Sequence, residues 1–301
     1  MILTAFCDLQ FCPVSFDFVT WLVRAMLERD RRGCDQLHVV IVPKEDGLGG
    51  FARRWGKHDE AATRWRLWHI VIPACQLAGA TVTLSPNRAI ATTWRDGVGA
   101  KGWWPEGKAH FMGPLIEAGR RGESIPKLKA SEQAGRYVEH WLAGVDDCDG
   151  SVTLTIRNQS TDPDRNSNAK AWIALEAWLK NETRYEVIVL RDTQDALMAG
   201  HGIHELDVDL RLALYEQASI NLIGNNGPQE LLKFSEASYL IFNLAQTDGW
   251  RDHFKRYFGM VPGDQMPVAR QDQRMVYKPD SFEVMREEFE KWEDLRVSVI
   301  A

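Results

Sequence analysis

Apolar residues in this chain gather into short continuous runs, and between the runs lie stretches with a helical period. Ile2 to Phe6 is an apolar run of strand length, and Leu37 to Val42 is β-branched and almost wholly apolar, as a strand covered on both faces should be. Between them Phe18, Trp21, Leu22, Ala25 and Met26 keep the i, i+3, i+4 spacing of one helix face. Ser15 is a candidate N-cap and Gly33 a stop, so the spacing predicts a helix from about Ser15 to Arg31. A helical stretch around Arg64 to Leu77 and a third strand, Ala80 to Leu84, continue the alternation. From Pro86 to Pro126 the chain is rich in Gly, Pro and Trp and has no clean period, which predicts loops and short helices at a sheet edge. Leu128 to Leu142 reads as a helix.

The second half alternates with better definition. Strands are predicted at Val152–Ile156, Glu186–Leu190, Ile220–Ile223 and Tyr239–Leu244, and helices at Ala169–Lys180, Leu210–Ala218 and from Pro228 toward Ser235. The tail from Asp280 to Asp294 is a polar, acidic helix able to pack on either half. Strands alternating with helices at this spacing argue for parallel sheets with right-handed crossovers. The predicted class is therefore α/β: two Rossmann-like αβα domains, residues 1–145 and 151–301, whose parallel sheets face a cleft. The glycine-flanked acidic segment GVDDCDG at 144–150 is the expected linker.

A length of 301 residues suits two such domains. No apolar run approaches the roughly 20 residues of a membrane span, and the start MILTAFCDLQF lacks the basic opening and cleavage site of a signal peptide, so a cytoplasmic protein is expected. The five cysteines are widely spaced with no C-x-x-C pair, which suggests neither a zinc site nor a disulfide framework. The net charge of −6 is uneven: 19 basic and 18 acidic residues precede Ser151, against 17 and 24 from there on. Nucleic acid is not expected as a partner, because no basic stripe of any length is present; the run at Arg29 to Arg32 reads as a solvated helix end. Among the twelve tryptophans, Trp55, Trp65, Trp94, Trp103 and Trp104 lie in polar surroundings, where an aromatic face either stacks on a sugar or packs a core.

Candidate chemistry gathers where strands end. Val-Thr-Leu-Thr-Ile delivers Arg157 and Asn158 into the loop QSTDPDRNSN, and side chains at the carboxyl end of a parallel strand point into the crevice where open α/β sheets bind ligands. An arginine there grips phosphate or closes its own loop against Asp162 or Asp164. Arg165, Asn166, Ser167 and Asn168 directly precede a helix, where free N–H groups favour an anion and Asn or Ser equally serve as caps. Gly224-Asn225-Asn226-Gly227-Pro228 sits between a strand and a helix. It is neither a dinucleotide fingerprint nor a P-loop, but it permits close backbone approach to a ligand. In the first half, Asp8 after the first strand and Glu45 and Asp46 after the second are candidate general bases, or simply solvated loop carboxylates. His201 and His204 lack the company of a metal site, and no nucleophile elbow is present.

With those residues in view, the second half resembles the donor-binding domain of GT-B glycosyltransferases. TIRNQSTDPDRNSN, the strand ending in VLRDT, the helix LRLALYEQAS and the strand into GNNGP fall in the matching order over about 100 residues. The outline is similar to bacterial polysaccharide-type enzymes and, more distantly, to the fucosyltransferases, with Asn158 standing where the latter carry a second arginine. The resemblance implies a metal-independent transfer of sugar from a nucleoside-diphosphate donor to a glycan or other hydroxyl acceptor. Arg157 and Arg165 would hold the diphosphate, Arg191 and Asp192 would line the nucleotide pocket, and Asn225, Asn226, Gly227 and Pro228 would meet phosphate or sugar. No cofactor other than the donor substrate is implied. A non-catalytic nucleotide-sugar-binding protein of the same fold and a nucleotide-sugar epimerase are the alternatives.

Overall fold

The computed structural model describes residues 1–45, 47–48, 60–105, 107, 111–144, 148–159, 163–191 and 207–300. The chain divides into two compact units, Met1–Lys129 and Ala130–Ala301. Both are α/β, and every strand pairing within their sheets is parallel.

In the first unit β1 (Ile2–Asp8) pairs along its whole length with β2 (Gln36–Val42). β3 (Thr81–Leu84) flanks β2, and β4 (Gly102–Trp103) flanks β1, giving the order β3-β2-β1-β4. Helix α1 (Phe18–Arg31) crosses from β1 to β2 and buries Phe18, Trp21, Leu22, Ala25 and Met26, the face its spacing predicted. The basic end of α1 is exposed, as expected, and carries surface pairs: Arg32 donates from Nη1 to the carbonyls of Ala100 and Gly102 at 3.0 and 3.1 Å, and Arg31 bridges to Glu123. Between β2 and β3 a helical run comprises α2 (Glu60–Arg66), a π-helical turn (Leu67–Val71) and α3 (Ile72–Leu77). Pro73 has no N–H to donate, and the turn before it widens to bond the N–H of Ile72 to the carbonyl of Leu67. The stretch that lacks a clean period holds α4 (Arg88–Val98), β4 and α5 (Gly113–Arg120). Asn87 caps α4 through the N–H of Ile90 at 2.9 Å.

The second unit begins with α6 (Glu132–Leu142). This helix packs on α8 (Val208–Gln217), with the Nε2 of Gln217 on the carbonyl of Gly135 at 2.7 Å and the Oγ of Ser131 on Asp209 at 2.6 Å. Its contacts place it in this unit, so the division falls upstream of the acidic segment at 144–150. The sheet order is β6-β5-β7-β8-β9, from β5 (Ser151–Thr155), β6 (Glu186–Leu190), β7 (Ile220–Ile223), β8 (Tyr239–Ile241) and β9 (Gln273–Met275). Helices α7 (Ala169–Glu182), α9 (Gln229–Lys233), α10 (Asp248–Phe258) and α11 (Phe282–Ile300) complete it. The tail helix packs on α7 within this unit, burying Met285, Phe289 and Trp292 beside Trp172, Leu175 and Leu179. Inside the sheet, Thr153 donates to Asn221 at 2.6 Å. Asn221 in turn donates to the carbonyls of Tyr215 and Ser238, which pins the register of β7 and docks α8. No helix among the described residues is long and apolar enough to cross a membrane.

Candidate functional site

From β5 the chain runs outward to β6 and then returns past β5 to β7, so the strand order reverses between β5 and β7. Ligands of open α/β sheets bind outside the carboxyl ends of strands at such a reversal. Two of the predicted segments follow those two ends, Arg157 after β5 and Gly224 to Pro228 after β7.

Hydrogen bonds tie three successive loops together there. Arg157 is buried, at 6% exposure, and its backbone exchanges bonds with Ser167: its N–H donates to the Ser167 Oγ at 3.0 Å, and its carbonyl accepts the Ser167 N–H at 3.0 Å. The loop is thereby folded back, which carries Arg165 across to the β7 loop, where its Nη2 donates to the Oδ1 of Asn225 at 3.2 Å. Asn225 passes the connection on by donating from Nδ2 to the carbonyl of Asn243 at 3.4 Å, just beyond β8. The guanidinium of Arg165 also lies over the ring of Trp250 on α10, 5.2 Å from its centroid. Asn243 and Ala245 both hold positive φ, 60° and 51°, a conformation costly for residues other than glycine and concentrated at ligand sites.

The β7 loop carries the most telling feature. Asn226 is 1% exposed, and among the described residues neither atom of its side-chain amide has a hydrogen-bond partner; the Oε1 of Gln229, one turn on, is likewise without one. An orphaned buried amide costs about 1–3 kcal/mol per group, which folding tolerates where a ligand or water supplies the missing bonds. The backbone N–H of Asn226 already bonds the carbonyl of Gly224 at 2.8 Å, and Pro228 has no N–H, so its contribution is the turn alone.

The remaining predicted residues are placed as follows. Asn158 is exposed in the loop beyond Arg157. Asn168 caps α7, accepting the Ala171 N–H at 3.4 Å, while its own N–H donates to the buried carboxylate of Asp280 at 2.9 Å. Arg191 follows β6 with its side chain exposed, and its carbonyl accepts from the buried Arg211 at 3.3 Å. Asp46, Asp192, His201, His204 and Trp55 lie outside the described residues. In the first unit Asp8 is 4% exposed and gripped by Arg88 through two bonds, 2.7 and 2.5 Å, with the N–H of Gln10 at 2.9 Å and the indole N–H of Trp104 at 3.4 Å. The hydrogen bond to Asp8 pushes the Arg88 guanidinium pKa up. Glu45 is exposed. Trp103 packs on Trp21 and Trp104 stacks on Phe6, both half-buried, whereas Trp94 is 37% exposed. Among the described residues no group of three or more His, Cys, Asp or Glu is placed to hold a metal ion.

Sequence reasoning passed over Trp250, Gln229 and Asn243. Thr247 before Trp250 is a readable N-cap, its hydroxyl accepting the Trp250 N–H at 3.3 Å, and the positive φ of Asn243 suits asparagine; Gln229 carried no signal.

No protein-family model matches the chain, and no curated protein sequence matches it. Solved structures do. The E. coli ADP-heptose LPS heptosyltransferase II superposes with a TM-score of 0.52 at 9% identity, covering 97% of this chain and 98% of that one. A glycosyl transferase family 9 protein from Veillonella parvula gives 0.49 at 10% identity with 96% of each chain covered. The E. coli heptosyltransferase WaaC with ADP gives 0.48 at 9% identity, with 96% and 99% covered. Over its full length the chain has the fold of the GT-B glycosyltransferases.

Proposed function

We propose that this protein transfers a glycosyl group from a nucleoside-diphosphate sugar to a hydroxyl acceptor, without a bound metal. The observation that carries the reading is the orphaned Asn226 amide, set in the β7 loop that Asn225 joins to Arg165 at the strand-order reversal of the second unit. The heptosyltransferase II that shares the fold uses ADP-heptose by its name, so an ADP-sugar is the first donor to test.

In this reaction the acceptor oxygen bonds to the anomeric carbon, and the carbon–oxygen bond to the diphosphate breaks with its electron pair leaving on the phosphate. Arg157 and Arg165 neutralise the charge that develops there, and backbone N–H groups of the β7 loop supply fixed dipoles. The Asn226 amide and the Oε1 of Gln229 recognise donor hydroxyls, which supply the bonds they lack among the described residues. Asp8, oriented by Arg88 and the Gln10 N–H, takes the proton of the acceptor hydroxyl.

One observation favours the non-catalytic alternative. Asp8 is buried and already occupied by Arg88, an arrangement equally suited to holding the β1 loop in shape. The two readings separate in an assay of nucleoside-diphosphate release from a panel of ADP-, UDP-, GDP-, CDP- and dTDP-sugars, with EDTA and a mixed glycan acceptor. Release from one donor that is lost in Asp8→Asn supports transfer. Tight donor binding with no release under any condition supports the binding protein.

A further inference from the structure

A pocket of about 350 Å³ opens in the first unit, lined by Phe11, Arg88, Thr92, Arg95, Trp104 and Pro105. These residues follow the carboxyl ends of β1, β3 and β4, and the strand order of this sheet also reverses, between β1 and β4. We propose that the pocket binds a single anionic group, a carboxylate or a phosphate ester, carried on a sugar ring.

The donor and acceptor inventory of the lining supports that assignment. Arg88 and Arg95 bring guanidinium groups that only donate, and both lie over the same indole, 6.0 and 5.4 Å from the Trp104 centroid. Asp8 is not among the lining residues; it orients Arg88, whose Nη2 also donates to the Oε1 of Gln10 at 2.9 Å, and the Thr92 hydroxyl donates to the carbonyl of Arg88 at 3.0 Å. A neutral sugar needs acceptors for its hydroxyls, and the lining side chains offer few; an anion needs donors, and here they converge. The two arginines differ in duty. Arg88 is fixed by its buried partner, and its Nε has no hydrogen-bond partner among the described residues. Arg95 is 46% exposed and pairs with the adjacent Asp96, itself 64% exposed, and such a surface pair exchanges readily for a better anion. Phe11, 38% exposed, and Pro105 supply an apolar wall for the face of a ring. The volume lies at the small end for ligand pockets, so a terminal residue rather than a long chain is held.

That the bound sugar is the glycosyl acceptor rests on the transfer reaction proposed above; the binding itself does not. The test titrates the full-length protein with methyl β-D-glucuronide, glucose 6-phosphate and methyl β-D-glucoside, read by calorimetry, alongside ADP as an independent titration of the second unit. Saturable binding of an acidic sugar, at least about tenfold tighter than the neutral one and weakened about tenfold in Arg95→Gln with ADP affinity unchanged, is the expected result. Preference between the two acidic probes then names the group. Equal binding of the neutral sugar, no binding of either acidic sugar, or acidic-sugar affinity indifferent to Arg95→Gln overturns the proposal. Acidic-sugar binding without ADP binding removes the transfer reading and leaves the pocket; ADP binding without acidic-sugar binding does the reverse.

Discussion

Gly224 and Ser167 meet where the loops after β5 and β7 touch: a Cβ built on Gly224 would lie 2.8 Å from the Ser167 Oγ. That oxygen cannot swing aside without giving up the N–H of Arg157, which it accepts at 3.0 Å. Glycine at this position is therefore what lets the arginine loop lie against the β7 loop. Gly224→Ala is expected to cost about 1 kcal/mol, the net worth of one hydrogen bond, and to weaken nucleotide binding. Because both changes act through the same bond, urea unfolding should show Gly224→Ala/Ser167→Ala to be no less stable than Ser167→Ala alone.

Asp280 secures the other end of the same loop. Its Oδ2 accepts the N–H of Asn168 at 2.9 Å and the indole N–H of the fully buried Trp172 at 2.7 Å, joining the start of α7 to the segment before α11. Asp280→Ala leaves both donors without their acceptor and should destabilise the protein by about 2–3 kcal/mol in urea unfolding. Asp280→Asn retains an acceptor oxygen and should cost clearly less.

Lys233 and Glu230 form a buried ion pair on α9 at 2.8 Å. Removing one partner strands the other charge away from water, so Lys233→Met should cost about 3–5 kcal/mol. Lys233→Met combined with Glu230→Gln should recover most of that loss in the same unfolding assay, since no uncompensated charge remains.

A pH effect is expected from His38 on β2, whose Nδ1 lies 2.7 Å from the Thr81 hydroxyl. Burial holds its pKa below the ordinary histidine value, because the charged form loses water. The unfolded chain therefore takes up a proton near pH ~6.5 that the folded chain refuses, and stability falls as the pH drops below that value. This contribution is fully present above about pH 6.5. Chemical denaturation between about pH 5.5 and 7.5 should show a shallower decline in His38→Gln than in the unsubstituted protein.

The strands buried on both faces were legible in the sequence. Val152, Leu154, Ile220 and Leu222 announce β5 and β7 by apolar character alone, and with them the places where Arg157 and the β7 loop emerge. β9 was not legible, because Gln273 is buried through two side-chain bonds to the carbonyls of Ser235 and Ala237, and Arg274 is paired with Glu288; none of this shows in the letters QRM. α4 hides behind its arginines, threonines and exposed tryptophan, although the Asn87 cap was available to read. Within the candidate site, local features such as an arginine after a strand or a glycine-rich turn were visible. Pairings between distant residues were not: Asp8 with Arg88, Arg165 with Asn225 and Trp250, and an Asn226 side-chain amide that has no partner among the described residues, are consequences of the folded chain.

The central claim, that the crevice between β5 and β7 binds a nucleoside diphosphate, is tested most directly by calorimetric titration of ADP, UDP, GDP, CDP and dTDP into the protein and into Arg157→Ala, in EDTA. The account predicts saturable binding of one of them without added metal, weakened about tenfold or more in the variant, as expected for loss of a charge-assisted bond. Silence across the series, or a variant that binds as tightly as the unsubstituted protein, would contradict it.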